Sequence, residues 1–291
     1  MSLPSSLVGA SIDARTEDVD ARWTMAYAAS LGDRLTCYFD TLRPDGVVAH
    51  PLFPVCVEWP LVVAARGLTG DGVLTAAEGV RGVHATHDLL LHRLVRAGDR
   101  LRTRLTVAGI ERRRPGAYQT LRLDTTDAGG NAVCTTWMGS LFRGVDVDGA
   151  DRPATGLPAP LDVAPDRGVR QEVRIPIAAG AAHVYTECAR IWNPIHTDIA
   201  VARAAGLPGL ILHGTATLAL AVSQVVDAEA GGDPSRVRRI MGRFGAMVLM
   251  PSEICVRVQE PAPAPSGVAV PFEVFNAAGD TAVRDGLVVL G

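Results

Sequence analysis

The sequence contains no lysine, so all 28 of its basic residues are arginines. Schiff-base chemistry through a lysine amine is therefore excluded. The formal net charge is −3, which gives no overall positive field to attract nucleic acid or an anionic membrane surface. We therefore expect neither a nucleic-acid partner nor a membrane partner.

Cysteine is scarce and scattered. The chain has five cysteines, an odd number, and no two of them form a C-x-x-C pair. This pattern argues against a disulfide framework and against a structural zinc site. We expect no metal and no cofactor.

No stretch is long and apolar enough to predict a membrane span. The most apolar one, residues 209–226, is interrupted by His213 and Gln224. The first residues include acidic side chains and lack the apolar segment of a signal peptide. These observations predict a cytoplasmic protein.

With 291 residues, of which 48% are hydrophobic and 20% charged, the chain has the composition of a soluble protein with room for two domains. Residues 144–168 are rich in Pro, Asp, Gly and Ala and show no sustained periodicity, which is typical of a linker. We therefore predict an N-terminal domain at 1–145, a linker at 146–168 and a C-terminal domain at 169–291.

The two halves resemble each other. Residues 26–39 align with residues 184–197 at an offset of 158. Further along each half, alternating apolar and polar residues between turn signals predict antiparallel strands. An apolar helix precedes these strands in each half, over residues 213–230 in the second and within residues 59–68 in the first. Such self-similarity indicates a duplicated unit.

One long helix wrapped by a curved antiparallel sheet is the hotdog arrangement. Two such units can pair so that a sheet edge of each is covered within one chain. The sequence therefore predicts an α+β fold of two tandem hotdog domains packed as a pseudo-dimer.

The most specific local pattern is NPIHTD, at Asn193–Asp198. The residue before a proline disfavours helical backbone, so the Asn-Pro pair should bend the chain into a loop that presents His196. Imidazole titrates near neutrality and is suited to moving a proton to or from water or a β-hydroxyl group. We therefore predict His196 as a general acid or base.

Gly214 lies eighteen residues after His196, at the start of the predicted central helix. The first N–H groups of a helix have no intrahelical acceptor, and the helix dipole adds positive potential there. An N–H directed at a thioester carbonyl stabilises the enolate-like charge of the transition state. Gly214 is therefore the predicted oxyanion contact.

These two elements together resemble the signature of the MaoC-like, (R)-specific enoyl-CoA hydratase (hydratase 2) family. That signature runs S-G-D-x-N-P, a small aliphatic residue and H, then a short helix, then H-G at the start of the central helix. The match covers residues 185–221, and the whole chain resembles the double-hotdog members of the family. The resemblance implies that His196 is the acid or base, that Asn193 orients the bound water or the loop, and that the first repeat shapes the acyl pocket.

The sequence departs from the signature at one catalytic position. The aspartate of the family lies five residues before the histidine, and here that position is Ile191, preceded by Ala189 and Arg190 in place of Ser-Gly. An isoleucine cannot accept a proton. A lost general base lowers a rate by about 10²–10⁴-fold.

Three carboxylates could replace the missing one. Glu187 lies four residues before Ile191 and would share its helix face. Asp198 follows the histidine but is better placed to cap the next helix. Asp33 aligns with Ile191 at the offset of 158, which would make a composite site. We rank Glu187 above Asp33, because a pseudo-twofold axis places the two motif loops in separate clefts.

The resemblance implies a lyase that adds water to enoyl thioesters or removes it from (R)-3-hydroxyacyl thioesters, in fatty acid or polyketide metabolism. The substrate would be carried by CoA or by an acyl-carrier protein. Because of Ile191, two alternatives stay open: altered thioester chemistry such as isomerisation or conjugate addition, and a non-catalytic thioester-binding subunit. The chain could act as a homodimer or pair with another hotdog protein.

Overall fold

The computed structural model describes residues 2–69, 74, 82–161, 163 and 167–291. The helices are α1 (Ala21–Ser30), α2 (Pro54–Ala65), α3 (Ala181–Ala189), α4 (Ile199–Ala204) and α5 (Gly214–Ala230). The strands are β1 (Ser2–Pro4), β2 (Ser11–Asp18), β3 (Gly82–Leu91), β4 (Arg100–Arg113), β5 (Gly116–Thr126), β6 (Ala132–Arg143), β7 (Asp146–Asp148), β8 (Val169–Ile177), β9 (Val237–Phe244), β10 (Ser252–Gln259), β11 (Ala262–Ala264), β12 (Gly267–Phe275) and β13 (Thr281–Leu290).

One antiparallel sheet runs through both halves of the chain. In the described residues its strands follow the order β2-β4-β5-β6-β3-β9-β13-β12-β10-β8, with β11 attached to β12. The five strands of the first half are thus followed by their five counterparts in mirror order. A pseudo-twofold axis therefore passes between β3 and β9, and the fold is the predicted pair of hotdog units joined edge to edge.

The seam between the halves is closed by strand pairing and by a buried ion pair. Strand β3 pairs with β9 in a register that places Leu89 opposite Ile240. Beside this pair, Arg239 donates to both carboxylate oxygens of Asp88, at 2.8 and 2.7 Å. Arg239 is only 6% exposed, so this bidentate contact between the halves is shielded from water.

Helix α5 is the central helix of the second unit. Most of its residues are apolar, and Leu218, Val222 and Val225 are fully buried, as expected of a helix that a sheet wraps around. It ends at Gly231, which adopts the left-handed conformation at φ 62°. Glycine is the residue best suited to that helix end.

Helix α2 is the central helix of the first unit, and its predicted bounds were wrong. It spans Pro54–Ala65 rather than lying within residues 59–68. Proline is favoured in the first turn because its fixed φ suits a helix and its missing N–H costs no hydrogen bond there. The apolar stretch around Pro54 is continuous, so periodicity could not mark the start of the helix.

Helices α1 and α3 are equivalent elements of the two units. The hydroxyl groups of Tyr27 and Tyr185, which are 158 positions apart, lie 3.4 Å from each other across the axis. Short 3₁₀ turns follow both helices, at Thr36–Tyr38 and Pro194–His196, again 158 positions apart. The alignment of the two halves is therefore confirmed.

Described residues of the predicted linker contact both units. Strand β7 lies inside it and pairs in parallel with β1. Further along, the Ala159 carbonyl accepts a hydrogen bond from Arg239 at 2.8 Å. The boundaries 1–145, 146–168 and 169–291 remain a prediction. Among the helices of the described residues, none has the length and apolar character needed to cross a membrane.

Candidate active site

A cavity of about 870 Å³ lies between the two units. Its walls come from α2, β3 and β6 of the first unit, and from the motif loop, the start of α5 and the segment after β9 of the second. Three of the predicted site residues line it together: Asn193, His196 and Gly214.

The motif loop is shaped by its backbone. After α3, Arg190 adopts the left-handed conformation at φ 58°, and its guanidinium lies 3.9 Å from the centre of the Trp23 ring. Asn193 is extended, at φ −130° and ψ 110°, as its position before Pro194 requires. The following 3₁₀ turn places His196 at the cavity wall.

One ring nitrogen of His196 is fixed by the backbone. Its Nδ1 lies 2.9 Å from the carbonyl oxygen of Ile211. A carbonyl can only accept, so Nδ1 carries the hydrogen and Nε2 keeps its lone pair. Burial lowers the pKa of His196 to about 4, so the ring is neutral at neutral pH. The side chain is therefore set up as a proton acceptor through Nε2.

A second histidine supports the first. The His213 ring stacks on His196 with the ring centres 3.7 Å apart and the planes inclined by 28°. Its Nε2 lies 3.1 Å from Thr186 Oγ1. Burial, and then the neighbouring His196, lower the pKa of His213 to about 2. His213 is thus a neutral packing partner that holds the His196 ring in place.

Gly214 is the first residue of α5, so its N–H belongs to the helical turn that has no intrahelical acceptors. A Cβ atom at this position would lie 3.1 Å from two carbons of the Phe244 ring. Glycine therefore allows Phe244 to lie against the helix start, and both residues line the cavity.

A family model described as "MaoC like domain" matches residues 161–264, and one for the FAS1-like dehydratase domain region matches residues 6–136. The second half of the chain therefore contains a MaoC-like domain, and the first half is similar to a FAS1-like dehydratase domain region.

Among the relatives of this MaoC-like chain are two curated hydratases. It is 35% identical to the enoyl-CoA hydratase ChsH3 of Mycobacterium tuberculosis over 101 residues, which is 35% of each protein. It is 43% identical to the peroxisomal enoyl-CoA hydratase 2 of Arabidopsis thaliana over 53 residues, 18% of this chain and 17% of that enzyme. The matches therefore span about a third or less of these relatives.

The same double-hotdog fold occurs in the MaoC-like dehydratase from Phytophthora capsici. The TM-score is 0.84 at 20% sequence identity, with 99% of this chain and 97% of the other covered.

The MaoC-like chain carries no carboxylate where the family signature has its aspartate. Ile191 is 4% exposed and lines the cavity beside the motif loop. Asp198 caps α4, where its Oδ1 accepts from the N–H groups of Ala200 and Val201 at 2.8 and 3.2 Å. Its carboxylate is therefore occupied as a helix cap.

The structure does not bring the two other predicted carboxylates to His196. Glu187 is exposed and lines a separate, shallower pocket of about 410 Å³. Asp33 lies in the first unit, where it accepts from the N–H of Leu35 at 3.2 Å. Neither belongs to the described residues that line the large cavity.

Sequence analysis missed a second polar group in this cavity, formed by Glu58, His84 and His87. Glu58 is 3% exposed, and its Oε1 accepts a hydrogen bond from Thr136 Oγ1 at 2.5 Å. Burial raises the pKa of Glu58 to about 7. A signal was present, because Glu58 is the one charged residue in the apolar sequence of α2.

The described residues contain no group of three or more His, Cys, Asp or Glu side chains placed to hold a metal ion. The groups of the cavity that can take part in proton transfer or charge stabilisation include the His196 imidazole and the N-terminus of α5.

Lowering the pH from 6.5 to 4 should reduce the free energy of unfolding. His50 and His196 have pKa values of about 4 in the fold, against an ordinary value of 6.5. Their stabilisation is complete above pH 6.5 and is lost as the pH falls through 4, by about 1–3 kcal/mol for each. The raised pKa of Glu58 makes its own contribution more favourable as the pH falls. The combined loss from the two histidines is larger, so the net free energy of unfolding decreases. Urea midpoints measured at pH 7, 6, 5 and 4.5 test this, and a constant midpoint contradicts it.

Glu58→Gln should stabilise the protein at pH 8 by about 2–3 kcal/mol and change its stability little at pH 4.5. The raised pKa of Glu58 means that its contribution is favourable below 4.5 and is lost as the pH rises through 7. Glutamine keeps an acceptor for Thr136 and carries no charge. Urea unfolding at both pH values measures the effect, and the exposed Glu187→Gln is the matched control. An equal change at both pH values would show that ionisation is not the cause.

Proposed function

We propose that this chain is a hydro-lyase that adds water in the syn sense across trans-2-enoyl thioesters and, in reverse, dehydrates (R)-3-hydroxyacyl thioesters. The observation that carries the proposal is a neutral imidazole, with Nε2 available, in one cavity with the N-terminus of the buried helix α5. The enzymes named enoyl-CoA hydratase among its relatives support the same reaction.

In the proposed mechanism, the thioester carbonyl accepts a hydrogen bond from the Gly214 N–H. The helix N-terminus then stabilises the negative charge that develops on that oxygen as water attacks C3. His196 Nε2 accepts the proton that the water loses, while the remaining hydroxyl forms the bond to C3. Asn193 holds the motif loop and the water in position.

The same imidazole completes the reaction. The protonated His196 returns its proton to C2 of the enolate, which restores the neutral ring and the thioester carbonyl. Because one group takes the proton from water and delivers it to the adjacent carbon, both additions occur on the same face. Syn addition thus follows from a site with one proton-transfer group beside Ile191.

The acyl chain would extend along the first-unit wall of the cavity. That wall includes the apolar side chains of Val55, Trp59, Val62 and Met138. Contact between such apolar side chains and a hydrocarbon chain removes apolar surface from water, which favours binding. A thioester of CoA or of an acyl-carrier protein is the proposed substrate, in fatty acid or polyketide metabolism.

The domain division at 1–145, 146–168 and 169–291 and a cytoplasmic location are part of the same proposal. The pairing of chains is left to experiment. Measuring the mass of the native protein in solution distinguishes a single chain from a homodimer or a mixed assembly with another hotdog protein.

The test is an assay with crotonyl-CoA and a longer trans-2-enoyl-CoA, following loss of the absorbance of the conjugated thioester. The reverse reaction is assayed with the (R)- and (S)-3-hydroxyacyl-CoA enantiomers. We expect hydration of at least one enoyl thioester and dehydration of the (R) enantiomer alone. Tight binding without conversion would instead indicate a non-catalytic binding subunit, and migration of the double bond would indicate an isomerase.

A further inference from the structure

Among the polar side chains of the cavity that the proposed mechanism does not use, Glu58 and His87 are deeply buried. Both line the cavity, and they are 3% and 2% exposed. Within the described part of the chain, Thr136 is the hydrogen-bond partner of Glu58, and neither ring nitrogen of His87 has a partner. Burying a polar group with too few hydrogen-bond partners costs free energy, so such groups are uncommon in native proteins.

Strand register places these two groups side by side. In the pairing of β3 with β6, His87 lies opposite Met138, and Leu89 lies opposite Thr136. Residues two apart on a strand share one face, so His87 and Thr136 are diagonal neighbours on the same face of the sheet. Glu58 reaches this face from α2 through its hydrogen bond to Thr136.

The residue opposite His87 on the neighbouring strand is a glycine. Gly242 of β9 pairs with His87, and a Cβ atom at Gly242 would lie 3.2 Å from Leu218 of α5 and 3.1 Å from Val283. The glycine thus allows α5 to pack close to the sheet at the seam, where the units share the cavity.

The polar pair is connected to the reaction centre along one wall. The His87 and His84 rings are 5.4 Å apart, and the His84 and Phe244 rings are 4.6 Å apart. Phe244 in turn lies against the start of α5 at Gly214. A thioester held at Gly214 can therefore extend past Phe244 and His84 towards His87.

We propose that Glu58 and His87 form a polar subsite that selects acyl thioesters whose chain carries a hydroxyl or keto oxygen beyond the reacting carbons. This rests on the proposed function, because it assigns the acyl chain to the wall of the same cavity. An unsubstituted chain would cover both groups, leave His87 without a partner and give Glu58 none besides Thr136, whereas an oxygen substituent supplies a further partner.

The position of the pair assigns it to the acyl chain rather than to the carrier. Glu58 and His87 are buried, whereas exposed lining residues, among them Arg143 and Met247, lie where the cavity opens to solvent. The carrier must reach solvent through such an opening, since an acyl-carrier protein is far larger than the cavity and the charged phosphates of CoA are costly to bury. The raised pKa of Glu58 adds that its carboxyl can donate a hydrogen bond near neutral pH.

The test compares trans-2-octenoyl-CoA with a series of the same length that carries a hydroxyl group at C5, C6, C7 or C8. We expect kcat/KM to favour the hydroxylated chain at one position by about tenfold or more, as a matched hydrogen bond in a buried site predicts. Glu58→Leu and His87→Leu should each bring that ratio towards one, and Glu58→Gln should retain most of it. Val62→Ala, which changes the same wall without changing its polarity, is the control and should keep the preference.

A wild-type protein that treats the chains equally, or a preference unchanged in both leucine variants, overturns the proposal. Should no enoyl thioester be turned over, the proposed function fails, and the subsite is tested by calorimetry with octanoyl-CoA and its hydroxylated counterparts. Tighter binding of one hydroxylated chain that Glu58→Leu removes still supports the subsite, and equal affinities overturn it. The last measurement is the affinity of free CoA for the wild type and for Glu58→Leu. If the substitution weakens the binding of free CoA as much as that of the hydroxylated thioester, the pair contacts the carrier and the proposal is overturned.

Discussion

His196→Ala should lower kcat/KM for enoyl-CoA hydration by about 10²–10⁴-fold. In this cavity His196 combines a Nε2 lone pair with a position on the loop beside Gly214. Removing the ring removes the group that takes the proton from water and returns it to carbon. The neighbouring His213 cannot substitute, because its ring is stacked on that of His196 and its Nε2 is engaged with Thr186. Initial rates across a range of enoyl-CoA concentrations measure the loss.

The matched control is His92→Ala, which removes an exposed imidazole away from the cavity. It should leave the rate within twofold, and urea unfolding of both variants separates lost chemistry from lost folding.

The wild-type pH profile adds a second measurement. Since the pKa of His196 is about 4, kcat/KM should decline only as the pH falls towards 4, not near 6.5. A His196→Ala variant that is folded and fully active would show that the imidazole is not the proton-transfer group.

Ile191→Asp should raise kcat/KM by about 10²-fold. The new carboxylate would occupy the position of the family aspartate, on the cavity wall and five residues before His196. It would provide a second proton acceptor for the attacking water, so that the imidazole no longer performs both transfers. Replacing a core isoleucine by a buried carboxyl group should also lower the free energy of unfolding by about 2–4 kcal/mol.

Ile191→Asn is the control for this gain, because it has nearly the shape of aspartate and cannot accept a proton. It should destabilise the protein to a similar extent without accelerating hydration. The double variant with His196→Ala tests whether the gain still needs the imidazole, and we expect it to be lost. An Ile191→Asp variant that is folded but no faster than Ile191→Asn would mean that the wild-type site already has its full set of proton-transfer groups.

The parts of the site that could be predicted are those encoded by local chemistry. The Asn193-Pro194 pair fixes an extended residue before a turn, and the structure has that turn. Gly214 begins a long, mostly apolar helix, and the burial of most of its residues follows from that composition. The offset of 158 between the halves could also be found, because it preserves the order of helix and turn in both units.

What could not be predicted depends on strand register and on which faces meet. His87 enters the cavity because β3 lies beside β9 at the seam, and no periodicity within β3 reveals its neighbour. Glu58 faces the cavity because α2 begins at Pro54, and the sequence predicted this helix several residues too late. The predicted bounds left Glu58 outside the helix, so its side chain could not be assigned to a helix face.

The position of Glu187 relative to Ile191 could not be predicted, because it depends on where helix α3 ends. Four residues before Ile191 would mean a shared face only if the helix continued to Ile191. Helix α3 ends at Ala189, and the left-handed Arg190 turns the chain away. Ile191 therefore faces the cavity, whereas Glu187 remains exposed to solvent.

The pseudo-twofold axis at the seam has an evolutionary consequence. In an assembly of two identical chains, each mutation in the gene alters both copies of the unit at once. Here the central helix α2 buries the carboxyl group of Glu58, whereas Leu218 and Val222 of the central helix α5 bury hydrocarbon. Covalent fusion lets one copy keep the reaction chemistry while the other accumulates changes that adapt it to new substrates.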